Sequence, residues 1–227
     1  MDYKVCILAA GKGTRNRYAL NSNKALLPLG EGTALSYIIS KFPSEIEIVI
    51  AGGYNAERVI RYALPKWGDR VEFVAVSYQG YGKGPGYSLL QCSPSLQCPF
   101  IYICCDTIVT DAIPEPDINW IGVAKVKDKL PYLTLRTEGK LVRQVYDKGD
   151  KQATHLASIG LVGVKDYGDF WEGLANPTIV QNEHQDTSGI NALIPRKLER
   201  RYFNWLDIGT TEGYEETKRR FDKHLSS

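Results

Sequence analysis

Short apolar runs recur along this 227-residue chain, and the residues between them carry helix caps and turn signals. Val5-Cys6-Ile7-Leu8-Ala9 is unbroken and runs into glycine, the pattern of a strand buried on both faces. Ile46-Glu47-Ile48-Val49-Ile50-Ala51, Val71-Glu72-Phe73-Val74-Ala75-Val76 and Phe100-Ile101-Tyr102-Ile103-Cys104-Cys105 also read as strands. Helical stretches lie between them. Thr33 caps one through Ile39 that stops near Pro43, Asn55 caps a second to about Leu64 that Pro65 closes, and Gly84-Pro85 opens a third. Strand and helix thus alternate over residues 1–110, which predicts a parallel sheet with helices on both faces. In such sheets ligands sit beyond the carboxyl ends of the strands, so polar residues just after a strand are the first to weigh for chemistry.

After Asp106 the texture changes. Strands are predicted over 121–126, 132–136, 141–146 and 159–164, with Glu138-Gly139 as a hairpin turn. Helices follow over 166–175 and 186–193, then one last strand over 201–206 and a final helix from Thr211 to His224. With no internal repeat or linker, the second half is expected to share one sheet with the first and to add a small mixed lobe. The whole chain, 1–227, reads as a single domain.

Composition narrows the classes. Hydrophobic residues are 43% and charged residues 24%, which excludes disordered and collagen-like chains. Lys plus Arg is 28 against 26 for Asp plus Glu, a net +2, so nothing draws the chain in bulk to nucleic acid or an anionic membrane. No apolar run is long enough to span a bilayer, and the first residues lack the shape of a signal peptide, so a cytoplasmic location is expected. Five cysteines, an odd number with two adjacent and no CxxC, predict buried free thiols rather than a disulfide framework or structural zinc site.

The first strand ends in Leu8-Ala9-Ala10-Gly11-Lys12-Gly13-Thr14-Arg15, and Asn23-Lys24-Ala25-Leu26-Leu27-Pro28-Leu29 follows closely. Small residues let backbone N–H groups approach a phosphate chain, which Arg15 can neutralise as a planar fork and Lys24 as a point charge. GxxxxGK[ST] does not occur, so this is not a P-loop, and Asn16 stands where the third glycine of a dinucleotide fingerprint belongs. A lone Gly-x-Gly is more often an ordinary strand-to-helix turn. The two blocks together resemble LxxGxGTR followed by PKxLxP, the signature of sugar-1-phosphate nucleotidyltransferases among the NTP transferases. Asn23 replaces the usual proline, and Gly32-Thr33 stands where Lys-Pro is common. Asp106, preceded by Cys105 where glycine is common, resembles that family's first magnesium ligand. Trp205-Leu206-Asp207-Ile208-Gly209-Thr210-Thr211-Glu212-Gly213-Tyr214 resembles its W-x-D-I-G-T-x-x-x-Y block, with Asp207 as the second ligand. Taken singly, each aspartate reads equally well as a cap or turn residue. Four blocks in order over almost the whole chain favour the resemblance.

The resemblance implies an α/β fold with a mostly parallel, Rossmann-like sheet of nucleotidyltransferase type and a small mixed substrate-facing lobe. Residues 1–110 would bind the nucleotide; 111–227 would bind the acceptor and supply the second metal ligand. Leu8, Ala9, Ala10, Gly11, Gly13 and Thr14 would cradle the nucleotide, Arg15 and Lys24 would be catalytic, and Asp106 and Asp207 would hold Mg2+. Gln79 and Gly84 would read the base; Tyr87-Ser88-Leu89 is similar to the phosphocholine cytidylyltransferase version and leans the choice towards CTP. Lys148, Gly160 and Glu183 would face the acceptor, although a solvated lysine reads equally well for Lys148 and a solvated surface is the stronger reading for Glu183 and His184. Tyr3, Tyr37, Tyr102, Phe170 and Trp171 read as packing.

The expected reaction joins an NTP to a phosphorylated acceptor, a sugar 1-phosphate first, giving an NDP-linked product of nucleotide-sugar or polysaccharide biosynthesis plus pyrophosphate. The alternatives are a cytidylyltransferase acting on a non-sugar phosphate such as phosphocholine, and a non-catalytic nucleotide sensor. Retention of Lys24, Asp106 and Asp207 favours an enzyme. The acceptor and the oligomeric state stay open.

Overall fold

The computed structural model describes residues 2–225. In chain order the elements are β1 (Lys4–Ala9), β2 (Pro28–Leu29), β3 (Gly32–Thr33), α1 (Ala34–Ser40), β4 (Ile48–Gly52), α2 (Ala56–Trp67), β5 (Val71–Ala75), α3 (Pro85–Cys92), β6 (Phe100–Cys104) and β7 (Thr107–Val109). The second half adds β8 (Trp120–Lys125), β9 (Thr134–Glu138), β10 (Leu141–Tyr146), β11 (Leu156–Val164), α4 (Tyr167–Leu174), β12 (Thr178–Val180), β13 (Glu183–Gln185), α5 (Thr187–Leu193), β14 (Glu199–Tyr202), β15 (Trp205–Asp207) and α6 (Thr211–Leu225).

Nine strands form one sheet in the order β5-β4-β1-β6-β11-β8-β14-β10-β9. Side chains alternate across β1 as strand geometry requires. Val5, Ile7 and Ala9 enter one core with residues of α1, α2 and α6, while Cys6 and Leu8 enter the other with α3, α4 and α5. Unbroken apolar sequence is therefore what a strand covered on both faces needs.

The expectation of a mostly parallel sheet is corrected. From β5 to β6 every pairing is parallel, but β6–β11, β11–β8, β14–β10 and β10–β9 are antiparallel, so the sheet as a whole is mixed. Connection length accounts for one of these pairings: Gly139-Lys140 is too short for a crossover, and so it joins β9 to β10 as an antiparallel hairpin.

Two boundaries also differ from the sequence reading. α2 continues through Pro65 to Trp67, and Asn55, at left-handed dihedrals, makes no side-chain cap. Proline costs one donor to the Arg61 carbonyl, and residues 61, 64 and 65 are exposed or partly exposed, so water can meet that carbonyl. The strand expected over 201–206 is two strands in two sheets. Asn204 breaks it, its backbone N–H and its side-chain amide both donating to Asp111, at 2.5 and 2.9 Å. All five cysteines are free thiols. Among the described residues no helix is long and apolar enough to cross a membrane.

Candidate active site

The loop after β1 is held from beneath by two asparagines. Asn16 is fully buried, accepts from Tyr18 N at 3.0 Å and donates to the Ile208 carbonyl at 2.9 Å. Asn23, the departure from proline, caps the single turn Lys24–Leu26 by accepting from Ala25 N. It also donates to the Ala9 and Tyr54 carbonyls, each at 2.8 Å. Lys24 is thereby presented at the carboxyl end of β1, with its ammonium on Asp106 Oδ2.

Asp106 and Asp207 meet through a short ladder. β15 pairs antiparallel with β7 so that Asp207 stands opposite Thr107, and Ile208 N donates to the Asp106 carbonyl at 3.0 Å. A Cβ at Gly209 would stand 2.9 Å from Asp207 Oδ1 and 3.0 Å from Asp106 Oδ2, so these two oxygens lie within about 6 Å of one another. Two carboxylates facing a space that only glycine leaves open are a donor set that fits a hard divalent cation completed by phosphate oxygens. Among the described residues no group of three or more His, Cys, Asp or Glu is gathered for a metal.

Electrostatics separates the two carboxylates. Burial raises Asp106, but the Lys24 charge and hydrogen bond outweigh it and hold the carboxyl below its usual range. Burial likewise pulls Lys24 down, and Asp106 more than restores it, so the ammonium is held above its ordinary value. Asp207 is pushed up, by burial and then by the Asp106 charge.

Two joined cavities flank this centre. The first, about 370 Å³, takes in Leu8, Ala10, Gly11, Gly13, Thr14 and Arg15, together with Lys24, Gly84 and Asp106. The second, about 160 Å³, holds Asp207 and Gly160. Arg15, Pro85, Cys104, Asp106 and Lys148 belong to both. Three expected residues stand apart from their expected neighbours: Ala9 is in the core, Gln79 lines neither cavity, and Glu183 lines the first cavity and not the second, which holds Gly160. Lys12, Ser77, Tyr78, Lys83 and Ser88 also line the first cavity, and Tyr132, Ser158, Asp186 and Trp205 the second; the sequence reading gave none of them a role as a site residue. Asp186 is pushed up by burial and accepts a 2.7 Å hydrogen bond from Tyr102, so that core tyrosine supports the cavity wall. Lys12, Arg15, Lys24, Lys83 and Lys148 outnumber Asp106 and Glu183 around the first cavity, a field that attracts a polyphosphate. A larger cavity of about 620 Å³ lies between α1, α6 and the β14–β15 break, away from these groups.

The strand, glycine loop, Lys24 and Asp106 form one continuous sequence module. Residues 5–113 match the MobA-like NTP transferase domain. Likeness of fold continues beyond that domain. A molybdenum cofactor guanylyltransferase from Mesorhizobium japonicum is 39% identical over 72 residues, 31% of this chain and 33% of that protein; the match thus spans a third of the relative's length. A solved UDP-glucose pyrophosphorylase complexed with UDP-glucose superposes with a TM-score of 0.81 at 21% identity, covering 99% of this chain and 100% of that one. The CTP:phosphocholine cytidylyltransferase from Streptococcus pneumoniae gives 0.74 at 17% identity, covering 97% and 99%. At these identities the solved structures establish the fold, an α/β Rossmann-like one, along the full chain around the NTP transferase domain.

Proposed function

We propose that this chain is a Mg2+-dependent nucleotidyltransferase that joins an NTP to a phosphorylated small-molecule acceptor and releases pyrophosphate. The observation that carries this reading is the Lys24–Asp106 pair with Asp207 beside it, between a cation-rich cavity and a second cavity that shares Arg15 and Lys148. An acceptor phosphate oxygen attacks the α-phosphorus as the bond to the α–β bridging oxygen breaks in line, its electron pair leaving with pyrophosphate. A phosphate monoester is already anionic at neutral pH, so no strong base is needed. Catalysis is positioning plus charge neutralisation by Arg15, Lys24 and Lys148. Asp106 and Asp207 would hold Mg2+, which when bound supplies further neutralisation of the triphosphate.

A sugar 1-phosphate is the first acceptor to try. A cationic acceptor such as phosphocholine is supported by one observation: the second cavity sets Tyr132 and Trp205 together with the Asp186 carboxylate, groups suited to a quaternary ammonium. The base stays open between CTP, from Tyr87-Ser88-Leu89, and GTP, from the guanylyltransferase relative. The reading implies a cytoplasmic enzyme. Its test is pyrophosphate release from purified chain with all four NTPs against sugar 1-phosphates and phosphocholine, with and without EDTA. At least one pair should turn over and stop in EDTA. NTP binding without turnover of any pair would move the reading to a nucleotide sensor.

A further inference from the structure

One hydroxyl beside the two carboxylates belongs to none of the sequence motifs. Tyr132 lies in the connection from β8 to β9, its ring edge-on to Trp205 with centroids 5.6 Å apart and planes at 82°. Its hydroxyl stands 3.3 Å from Asp207 Oδ2, while Asp207 Oδ1 accepts from Gly209 N at 2.7 Å. One donor on each oxygen fixes the plane of a carboxylate; with one donor alone it can swing about its Cβ–Cγ bond. A tyrosine phenol keeps its proton at neutral pH, so against a carboxylate it is the donor.

The connection that carries Tyr132 is itself fastened. Lys129 Nζ donates to the Ala153 carbonyl at 2.7 Å, Gly149 N to the Leu130 carbonyl at 2.9 Å, and Ser158 N to the Leu133 carbonyl at 2.8 Å. Those anchors tie it to the segment bearing Lys148 and to β11. The Tyr132–Asp207 bond is long for O–H···O. The anchored backbone and the ring against Trp205 nevertheless aim the hydroxyl at one oxygen.

We propose that Tyr132 is a positioning residue whose hydroxyl orients the Asp207 carboxylate towards a divalent cation shared with Asp106. This rests on the nucleotidyltransferase reading for the identity of the cation and its nucleotide. Packing against Trp205 alone would be served equally well by phenylalanine, which makes Tyr132→Phe the deciding variant.

The full-length chain is melted with an NTP in EDTA, and then with the same NTP at rising Mg2+. In EDTA the NTP-induced shift should be the same for wild type and Tyr132→Phe. The Mg2+ concentration giving half of the additional shift should rise about tenfold in the variant, the scale on which groups orienting a metal ligand act. Tyr132→Ala should show at least the same rise. Equal Mg2+ midpoints for wild type and Tyr132→Phe would overturn the proposal, as would an equal loss of NTP binding in EDTA, which marks a structural role. The melting readout needs no turnover. A wild type that responds to Mg2+ but transfers to no acceptor sinks the transferase reading while still deciding Tyr132.

Discussion

Asp106 and Asp207 face the same space but differ in what charge does to them, and the difference predicts unequal variants. The folded value of Asp106 lies below the ordinary one, because Lys24 outweighs burial. A depressed carboxyl contributes stability above its unfolded value, about 4, and loses it as pH falls through the folded value. Asp207 is the reverse: burial and Asp106 hold it up, so its ionised form is a cost at neutral pH that is relieved as pH falls towards the folded value. Asp106→Asn leaves the Lys24 ammonium against an amide where the two side chains are only 14% and 19% exposed. Removing one partner of a buried pair costs about 3 kcal/mol, so this variant should melt clearly lower at pH 7. Asp207→Asn keeps an acceptor for Gly209 N and loses the disfavoured charge, so its melting temperature should hold or rise at pH 7. That gain should vanish in acid. Both should lose turnover by about 100-fold or more. Equal losses of stability in the two variants would mean that Lys24 does not hold Asp106 in solution. At this scale the sequence named both aspartates and Lys24, but not why Asn16 and Asn23 stand where other residues are usual. Their partners, the carbonyls of Ile208, Ala9 and Tyr54, are brought close only by the fold.

Among the elements, those with local causes were legible. Thr33 and Ser36 cap α1 reciprocally, Pro85 opens α3, and Gly139 turns β9 into β10 with φ at +58°. The β12–β13 hairpin was not legible, because its turn places Gln181 and Asn182 at φ 52° and 66° without a glycine, and its strands are three residues each. β7 was missed for the same reason: three residues have too little pattern. The hairpin matters because α3 lies directly on it. A Cβ at Gly86 would meet the Gln185 carbonyl oxygen at 2.3 Å and His184 Cδ2 at 2.8 Å. Backbone cannot yield as a side chain tip can, so Gly86→Ala should cost about 2 kcal/mol and weaken NTP binding together with stability. A Cβ at Gly11 meets nothing within 4 Å. Gly11→Ala should therefore melt like wild type and lose NTP affinity alone, measured by calorimetric titration, because only a phosphate chain would meet the added methyl. Unchanged affinity in Gly11→Ala would remove the loop from the nucleotide site.

The molecule as a whole does not divide where the NTP transferase match ends. Residue 113 falls after β6 and β7, yet β6 is a central strand whose far edge is paired with Leu161–Val164 of β11. Both cores cross that point as well. Trp120, Leu161 and Ile208 complete the one beneath α1 and α6, and Val162, Phe170 and Ile190 complete the other. Asp207 reaches the site only from the second half, through β15 on β7. Cutting the chain at 113 would expose an apolar strand edge, the kind of surface that recruits other chains, and would strip much of the cover from both faces of the sheet. Residues 1–113 expressed alone should thus show no cooperative melt and should aggregate, whereas the whole chain should unfold in one transition that coincides by near- and far-UV circular dichroism. A soluble 1–113 fragment with its own sharp transition and NTP affinity would contradict this, because the first half would then be stable without β11. The expected outcome follows from the mixed sheet. The parallel strands carry the glycine loop, and the antiparallel strand beside them both closes the core and brings in the half of the chain that bears the second carboxylate.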